Sequence, residues 1–392
     1  MQSVELFAGA GGLAIGMANA GFHHTAVLEW DPDACETFRE NQRRHAHHIE
    51  EWPLHEGDVR TFDYGSLSGN VMVVSGGPPC QPFSMGGKHQ GYRDARDMFP
   101  EAVRAVRELR PKAFIFENVK GLMRESFSAY FEYIHLQLTY PSLERGHNES
   151  WREHRSRLEK HHTGRQKPSE YNVVYRLLNA ADYGVPQRRE RVFLVGFRSD
   201  LGVEWTFPEP CHSESALLRS KWITGEYWER HKVVKRSRPT LGKRHTTRVA
   251  RLREESLRDT ARKPWLTVRD AISDLPDPEG GSTDAFANHV FNPGARQYKG
   301  HTGSPLDEPA KTLKAGDHGV PGGENMLTRV DGSVRYFTVR EAARLQTFPD
   351  DYVFPGAWTE AMRQLGNAVP VRLAETVARS VAATLGQRKE YD

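Results

Sequence analysis

The feature that most constrains the fold is an alternation of short apolar runs with helical patterns along the first half of the 392-residue chain. Short apolar runs bounded by turn residues are typical of buried strands. Between them, residues 13–20 and 97–109 have helical periodicity, and Asp31 and Pro32 fit the N-cap and first residue of another helix. This rhythm predicts an α/β fold with a doubly wound, mostly parallel sheet. The predicted strands are Val4–Phe7, Ala26–Glu29, Val71–Ser75, Ala113–Phe116 and Val192–Phe197.

Two segments interrupt the rhythm and define the expected domains. Residues 141–171 are rich in His, Arg and Glu, which predicts a surface insertion. Residues 198–335 lack the strand–helix alternation and are expected to form a second, smaller domain. The α/β pattern resumes with a capping-box motif at Thr338, so we assign residues 1–197 and 336–392 to one catalytic and cofactor-binding domain.

Charge and cysteine content limit the classes of partner and site. The net charge is only +3, but residues 219–263 hold 15 Lys or Arg against 5 Asp or Glu, which points to a polyanion partner. Three scattered cysteines exclude a disulfide framework, and we predict no metal site. No apolar run approaches the ~20 residues that a membrane span needs, and no signal peptide is recognised. We therefore expect a cytoplasmic protein without a membrane partner.

The first predicted strand is followed by a glycine-rich loop, Phe7–Gly12. An acid about 20 residues beyond such a loop is where a ribose is held, and Glu29 stands there. Trp30 offers a flat face for an adenine, and Asp58 could accept from its amino group. No phosphate-binding lysine follows the glycines, so a P-loop is excluded and an adenosine-bearing cofactor is predicted.

A thiol stands on a stiff turn at the end of the third predicted strand. Cys80 lies in the stretch GGPPCQPFS, where the flanking prolines restrict the backbone. Ligands of open α/β sheets bind at this end of the strands, so we interpret Cys80 as a nucleophile. The three glycines in residues 85–92 predict a loop that closes over the pocket.

Two further groups fall near the same predicted edge of the sheet. Glu117 follows an apolar run, where partial desolvation would raise its pKa and allow it to donate a proton. The stretch Gln187–Arg191 holds three arginines that could bind an anion or a pyrimidine oxygen.

Six motifs occur in an order that resembles the DNA cytosine-5 methyltransferase family. The resemblance covers about residues 4–197 and 336–385 and leaves out 198–335, which corresponds to the variable target-recognition region. Residues 141–171 then look like an addition between the shared motifs. The motifs are FAGAGG, GGPPCQPFS, ENV, QRRER, REAARLQTFP and QLGNAVP.

The resemblance implies a role for each candidate residue. Cys80 would add as a thiolate to C6 of cytosine, Glu117 would contact N3 and the 4-amino group, and Arg191 would hold the O2 side. The implied methyl donor is S-adenosylmethionine, and no metal is needed. Phe7, Gly9, Gly11 and Gly12 would line its methionine part, Glu29 its ribose, Trp30, Asp58 and Val59 its adenine, and Asn367 would close the site.

The resemblance also implies double-stranded DNA as substrate, with the target cytosine flipped out of the stack. We expect a monomer in a bacterial, archaeal or phage-infected cell. A cognate restriction endonuclease would act on the same site without a stable complex. Three alternatives stay open on the residues alone: a tRNA methyltransferase, an inactive DNA-binding protein on the same fold, and a nicotinamide-dependent dehydrogenase.

Overall fold

The computed structural model describes residues 1–67, 70–79, 97–164, 168–254, 262–280, 285–299, 301–315 and 325–387. The chain divides into two compact units. The first unit comprises Met1–Leu178, Glu190–Pro208 and Ala374–Asp392, and the second comprises Asn179–Arg189 and Glu209–Leu373. Compactness thus places residues 336–373 with the second unit, whereas the sequence motifs group them with residues 1–197. Because compactness does not assign function, the functional division remains a prediction.

The first unit is built on a seven-stranded sheet in the order β3-β2-β1-β4-β5-β7-β6. β2, β1, β4 and β5 run parallel, β3 runs parallel to β2, and β7 is antiparallel to β5. The predicted mostly parallel, doubly wound sheet is confirmed. The strands are β1 Gln2–Leu6, β2 His23–Glu29, β3 Leu54–Glu56, β4 Val73–Gly76, β5 Ala113–Val119, β6 Tyr171–Asn179 and β7 Glu190–Arg198.

The helices of this unit begin largely where the sequence signals place them. Asp31 caps α2 by accepting a hydrogen bond from the Ala34 N–H at 3.0 Å, as predicted. The helices are α1 Gly12–Asn19, α2 Pro32–Arg43, α3 Phe99–Leu109, α4 Ser128–Thr139 and α5 Trp151–Thr163.

The chain reverses its direction of strand addition between β1 and β4. From β1 it proceeds outward to β2 and β3, and then returns to add β4 and β5 on the other side. Val4, Val73 and Phe114 in these central strands are fully buried, so the sheet is covered on both faces. A crevice outside the carboxyl ends of strands at such a reversal is where ligands bind in open α/β sheets.

The segment between α4 and β6 contains helix α5. Its first turn is closed by a capping box of Ser150 and Glu153. His154 and Leu158 are buried, and the His154 ring contacts the Tyr133 hydroxyl of α4 at 2.9 Å. The insertion is therefore fastened to the first unit, although most of its side chains are exposed or half-buried.

The second unit combines short strands with helices. The predicted capping box of Thr338 with Glu341 is present, and a second one joins Thr267 with Asp270. No helix among the described residues has the length and apolar character needed to cross a bilayer. The strands are β8 His212–Ser213, β9 Lys263–Pro264, β10 Ser304–Pro305, β11 Met326–Thr328 and β12 Val334–Tyr336. The helices are α6 Glu214–Arg219, α7 Glu226–Arg230, α8 Lys243–Glu254, α9 Val268–Ile272, α10 Val339–Leu345 and α11 Trp358–Asn367. A last helix, α12, spans Val371–Gly386 and enters the first unit at Ala374.

Candidate active site

The glycine-rich loop lies directly between β1 and α1. Phe7, Gly9 and Gly11 all have positive φ, at 55°, 54° and 83°. A glycine adopts this backbone region without the steric cost that Phe7 bears. Gly11 occupies the N-cap position of α1, and Gly12 is the first residue of the helix.

Glu29, at the end of β2, holds this loop in place. Its Oε2 accepts from the Gly9 N–H at 2.6 Å, and its Oε1 accepts from the Trp30 and Asp31 N–H groups at 2.9 Å each. Burial raises the pKa of the Glu29 carboxyl, and the three backbone donors oppose that rise. The loop and the end of β2 are therefore joined through one buried carboxylate.

The predicted adenine side is formed by the ends of β2 and β3. The backbone N–H of Gly57, just after β3, donates to the Glu29 carbonyl at 2.9 Å. Trp30 is 64% exposed, so one face of its ring is available to a ligand. The structure therefore brings the loop, Glu29 and Trp30 to the same edge of the sheet as Asp58.

Asp58 is already engaged by a neighbour. It caps the short turn Val59–Thr61, and the Arg60 guanidinium lies 2.5 Å from its carboxylate. This ion pair lowers the pKa of Asp58. Val59 is buried beneath the turn. A ligand amino group would share the Asp58 carboxylate with Arg60.

Two hydrogen bonds hold the turn between β4 and Cys80, one at each of the two prolines that precede the cysteine. The Asn118 side chain donates to the Pro78 carbonyl at 2.8 Å, and the Met98 N–H donates to the Pro79 carbonyl at 3.1 Å. Asn118 belongs to the ENV motif, so that motif positions the backbone before the predicted nucleophile. Cys80 itself and the predicted closing loop, residues 85–92, lie outside the described residues.

Glu117 and Arg191 form a buried ion pair across β5 and β7. The Arg191 Nε lies 2.8 Å from Glu117 Oε1, and the two side chains are 11% and 8% exposed. Arg191 pairs in register with Val119, so the pair is diagonal across the two strands. Burial lowers the pKa of Arg191, and the Glu117 charge opposes that shift. A Cβ on Gly77 would lie 3.4 Å from Glu117 Oε2, so the carboxylate lies against the turn that precedes Cys80.

The three arginines of the QRRER motif have separate roles. Only Arg191 lies beside Glu117. Arg189 is fully buried and donates to the carbonyls of Leu313 at 3.1 Å and Gly366 at 2.7 Å, all within the second unit. Arg188 forms a 3.4 Å ion pair in that unit. The expectation that all three could bind an anion is therefore wrong for Arg189, because its donors hold the chain together.

Asn367, predicted to close the cofactor site, is the exposed last residue of α11 in the second unit. The preceding Gly366 packs tightly, since a Cβ there would lie 2.3 Å from the backbone nitrogen of Ala315. Only glycine allows that approach. The place of Asn367 in the cofactor site remains a prediction.

The basic block, residues 219–263, is divided between structural and exposed cations. Lys221 is buried and lies 5.5–5.7 Å from the rings of Trp222, Tyr227 and Trp228. Arg248 pairs with Glu214. Eight others are exposed and have no ion-pair partner in the described part of the chain: Lys232, Lys235, Arg236, Lys243, Arg244, Arg253, Arg262 and Lys263.

Comparison with known proteins identifies the family. The family model of C-5 cytosine-specific DNA methylases matches residues 1–140 and 156–383. Type II methyltransferase M.NgoMIV of Neisseria gonorrhoeae is 32% identical over 98% of this chain and 97% of its own length. Type II methyltransferase M.Eco47II of Escherichia coli is 31% identical over 97% of this chain and 79% of its own.

Solved structures support the fold. The Dnmt2 methyltransferase of S. pombe aligns with a TM-score of 0.54 at 15% identity, covering 99% of each chain. The methyltransferase EhMeth of Entamoeba histolytica aligns with a TM-score of 0.54 at 12% identity, covering 98% of each chain. The ordered motifs, the sheet and the family match agree, and the chain belongs to the C-5 cytosine-specific DNA methylase family, as a DNA cytosine-5 methyltransferase that uses S-adenosylmethionine.

Proposed function

We propose that the chain methylates C5 of a cytosine rotated out of a DNA duplex, within one short recognition sequence, through a covalent bond from Cys80 to the base. The observation that carries this proposal is the buried Glu117–Arg191 pair. It lies against Gly77, three residues before Cys80 in the chain. A carboxylate and a guanidinium side by side suit one edge of a cytosine.

That edge presents the 4-amino group, N3 and O2 in sequence. Glu117 contacts the amino group and N3, and Arg191 donates to O2. Because a guanidinium carries five N–H donors, Arg191 can donate to the base while it keeps its ion pair. The pair therefore orients the base and favours a proton at N3 as negative charge develops on the ring.

The reaction divides one difficult substitution into an addition and an elimination. The Cys80 thiolate adds to C6 and places electron density on C5, which forms its bond to the methyl group. S-adenosylmethionine, when bound, would supply that methyl group as an electrophile, with its S–CH3 bond broken and S-adenosylhomocysteine as the leaving group. A base then removes the C5 proton, and the Cys80 thiolate leaves C6, so that the aromatic ring is restored.

The residues at the carboxyl ends of β1, β2 and β3 fit the adenosine part of this cofactor. Backbone N–H groups use three of the four acceptor sites of the Glu29 carboxylate, and the remaining site, on Oε2, can accept from a ribose hydroxyl. A Cβ on Gly9 would meet no atom within 4 Å, so there is space beside the loop. The exposed Trp30 ring offers a face to the adenine. We place Phe7, Gly11 and Gly12 beside the methionine part, and Asn367 at the closing side.

Residues 198–335 are proposed to recognise the DNA sequence. The eight exposed cations of the basic block supply phosphate contacts, and other side chains of the region read base edges in the major groove. In a plot of the logarithm of the DNA-binding constant against the logarithm of the salt concentration, each neutralised phosphate contributes about −0.9 to the slope. The double variant Lys243→Ala/Arg244→Ala should reduce that slope by about 2 in a fluorescence-anisotropy titration of duplex DNA. An unchanged slope would remove these residues from the interface.

The relatives' type II names support a place in restriction and modification. We propose that the enzyme acts as a monomer in the cytoplasm and protects sites that a separate endonuclease would cleave. Each protein would find the site independently, without a stable complex between them.

The test is methyl transfer from labelled S-adenosylmethionine to mixed-sequence duplex DNA, followed by bisulfite sequencing. We expect 5-methylcytosine within one short motif. Cys80→Ala should abolish transfer, while Cys211→Ala, which changes an exposed cysteine of the second unit, should retain it. Transfer by the Cys80→Ala variant, or transfer to tRNA instead of duplex DNA, would overturn the proposal.

A further inference from the structure

A cavity of about 230 Å³ lies in the first unit, between α3, α4 and the segment that leads into α5. Leu143, Arg145, Trp151 and His154 form one of its walls. These four residues fall in the stretch that the family model leaves unmatched, 141–155. The cavity is therefore built in part by residues that the family pattern does not include.

The walls of the cavity are mostly aromatic. Tyr130, Tyr133, Tyr140 and Trp151 all line it. The rings of Tyr130 and Tyr133 lie 5.5 and 5.7 Å from that of Trp151, which fixes three of the four relative to one another. Walls of this kind suit a flat ring system. The volume is below the ~300–1,000 Å³ of typical small-molecule sites, so it fits one ring system at a time.

One buried amide oxygen in the cavity lining lacks a hydrogen-bond partner among the described residues. Gln137 of α4 lines the cavity and is only 8% exposed. Its Oε1 is fully buried and has no hydrogen-bond partner among the described residues. Buried polar groups in native proteins are nearly always satisfied. A ligand edge that carries an N–H donor would satisfy this oxygen, and the edges of nucleobases carry such donors.

One cation at the cavity rim is available to an anionic group. Arg104 pairs with Glu101 at 2.8 Å, and Arg107 lies 3.3 Å from Glu144. Arg145 is exposed at the rim and has no hydrogen-bond or ion-pair partner in the described ranges. Asp97 also lines the cavity and accepts a hydrogen bond from the Tyr130 hydroxyl, so the carboxylates and guanidinium groups of the lining are equal in number. The unpaired guanidinium of Arg145 is the group that suits one phosphate.

We propose that this cavity binds a single nucleotide unit, with the base between the aromatic rings and Gln137 and the phosphate on Arg145. The site lies outside the cytosine and cofactor sites, and its existence does not depend on methyl transfer. The same chemistry can come from two sources: a free nucleoside monophosphate, or an unpaired nucleotide of a DNA strand.

The test is calorimetric titration of the full chain with each of the four deoxynucleoside 5′-monophosphates, with the corresponding nucleosides and, separately, with tetrathymidylate. Saturating S-adenosylhomocysteine is present in every titration, so that nucleotides cannot bind in the cofactor site. We expect at least one probe to bind. Arg145→Ala should weaken binding about three- to tenfold and remove the preference for the monophosphate over its nucleoside, and Gln137→Leu should weaken it by a similar factor.

Lys160→Ala is the matched control, because Lys160 is an exposed cation of α5 that does not line the cavity. Binding of monophosphates that both variants weaken identifies a free nucleotide as the source. Binding of tetrathymidylate alone, weakened by both variants, identifies a DNA strand. No binding up to ~10 mM, or binding that Arg145→Ala leaves unchanged, would overturn the proposal. Loss of methyl transfer without loss of nucleotide binding would affect only the proposed function.

Discussion

Two buried acids stand at the ends of strands in one sheet, and they are held in different ways. Glu29 accepts three backbone N–H groups, so its position is part of the fold of the glycine loop. Glu117 has a side-chain ion-pair partner, Arg191. Backbone donors cannot be redirected without moving the loop, whereas a guanidinium can share its donors with a ligand. The comparison indicates a fixed acid for a cofactor and an adjustable pair for a substrate.

The largest effect is expected at the adjustable acid. Glu117→Gln removes the group that stabilises charge on the ring, so single-turnover methyl transfer should fall by about 10²–10⁴-fold. Binding of S-adenosylhomocysteine should stay within about twofold by calorimetry. A variant that loses both together would contradict the separation between the two acids.

A second experiment sharpens the role of the ion pair. Arg191→Met leaves the buried Glu117 without this counter-charge and should lower the free energy of unfolding by about 3–5 kcal/mol. The double variant Glu117→Gln/Arg191→Met should recover most of that loss without recovering activity. Urea unfolding of all four proteins gives the coupling free energy. If the loss of stability in the double variant equals the sum of the losses in the two single variants, the two side chains are not coupled.

Glu5 is a third buried acid. It differs from Glu29 and Glu117 because its partner is a side-chain hydroxyl. Ser75 donates to it, and burial raises its pKa to about 8. The folded state therefore keeps a proton that the unfolded state, near 4.5, releases. Between these values unfolding releases a proton, so the stability that Glu5 contributes falls as pH rises.

Glu5→Gln stays neutral at every pH, which gives the measurement. The free energy of unfolding of the variant minus that of the parent should be about 1–3 kcal/mol larger at pH 8.5 than at pH 5. Urea midpoints at the two pH values test this. A difference that is constant with pH would show that Glu5 is ionised in the folded protein.

The smallest effect is expected at the fixed acid. Glu29→Gln replaces one acceptor oxygen by an NH2 group, which cannot accept from a backbone N–H, and affinity for S-adenosylhomocysteine should fall about 10–100-fold. Transfer at saturating cofactor should change less. Glu56→Gln is the matched control, since Glu56 ends the neighbouring strand and pairs on the surface with Arg39. Equal losses in both variants would count against a cofactor role for Glu29.

The sequence predicts the buried central strands better than it predicts β6 and α4. The strands β1, β2, β4, β5 and β7 are buried and read as apolar runs, so their positions were predictable. β6 has many exposed and half-buried residues, and its sequence signal is correspondingly weak. α4 buries residues on most of its circumference, which removes the periodicity that reveals a helix.

The candidate site shows the same limit. Glu29 and Glu117 were predictable because each directly follows an apolar run. The structural role of Arg189 was not, since its carbonyl partners at Leu313 and Gly366 are more than 120 residues away in sequence. Nor does the run QRRER tell which arginine faces Glu117, because that depends on the register of β7 against β5.

The central claim is that Cys80 forms the bond to the base. A duplex carrying 5-fluorocytosine at the mapped site tests it most directly, because fluorine cannot leave C5 as a proton does and the adduct should persist. Incubation with S-adenosylmethionine, digestion and mass spectrometry should place the methylated base on the peptide that contains Cys80. Transfer to ordinary cytosine with no adduct at Cys80, or an adduct at another residue, would contradict the account.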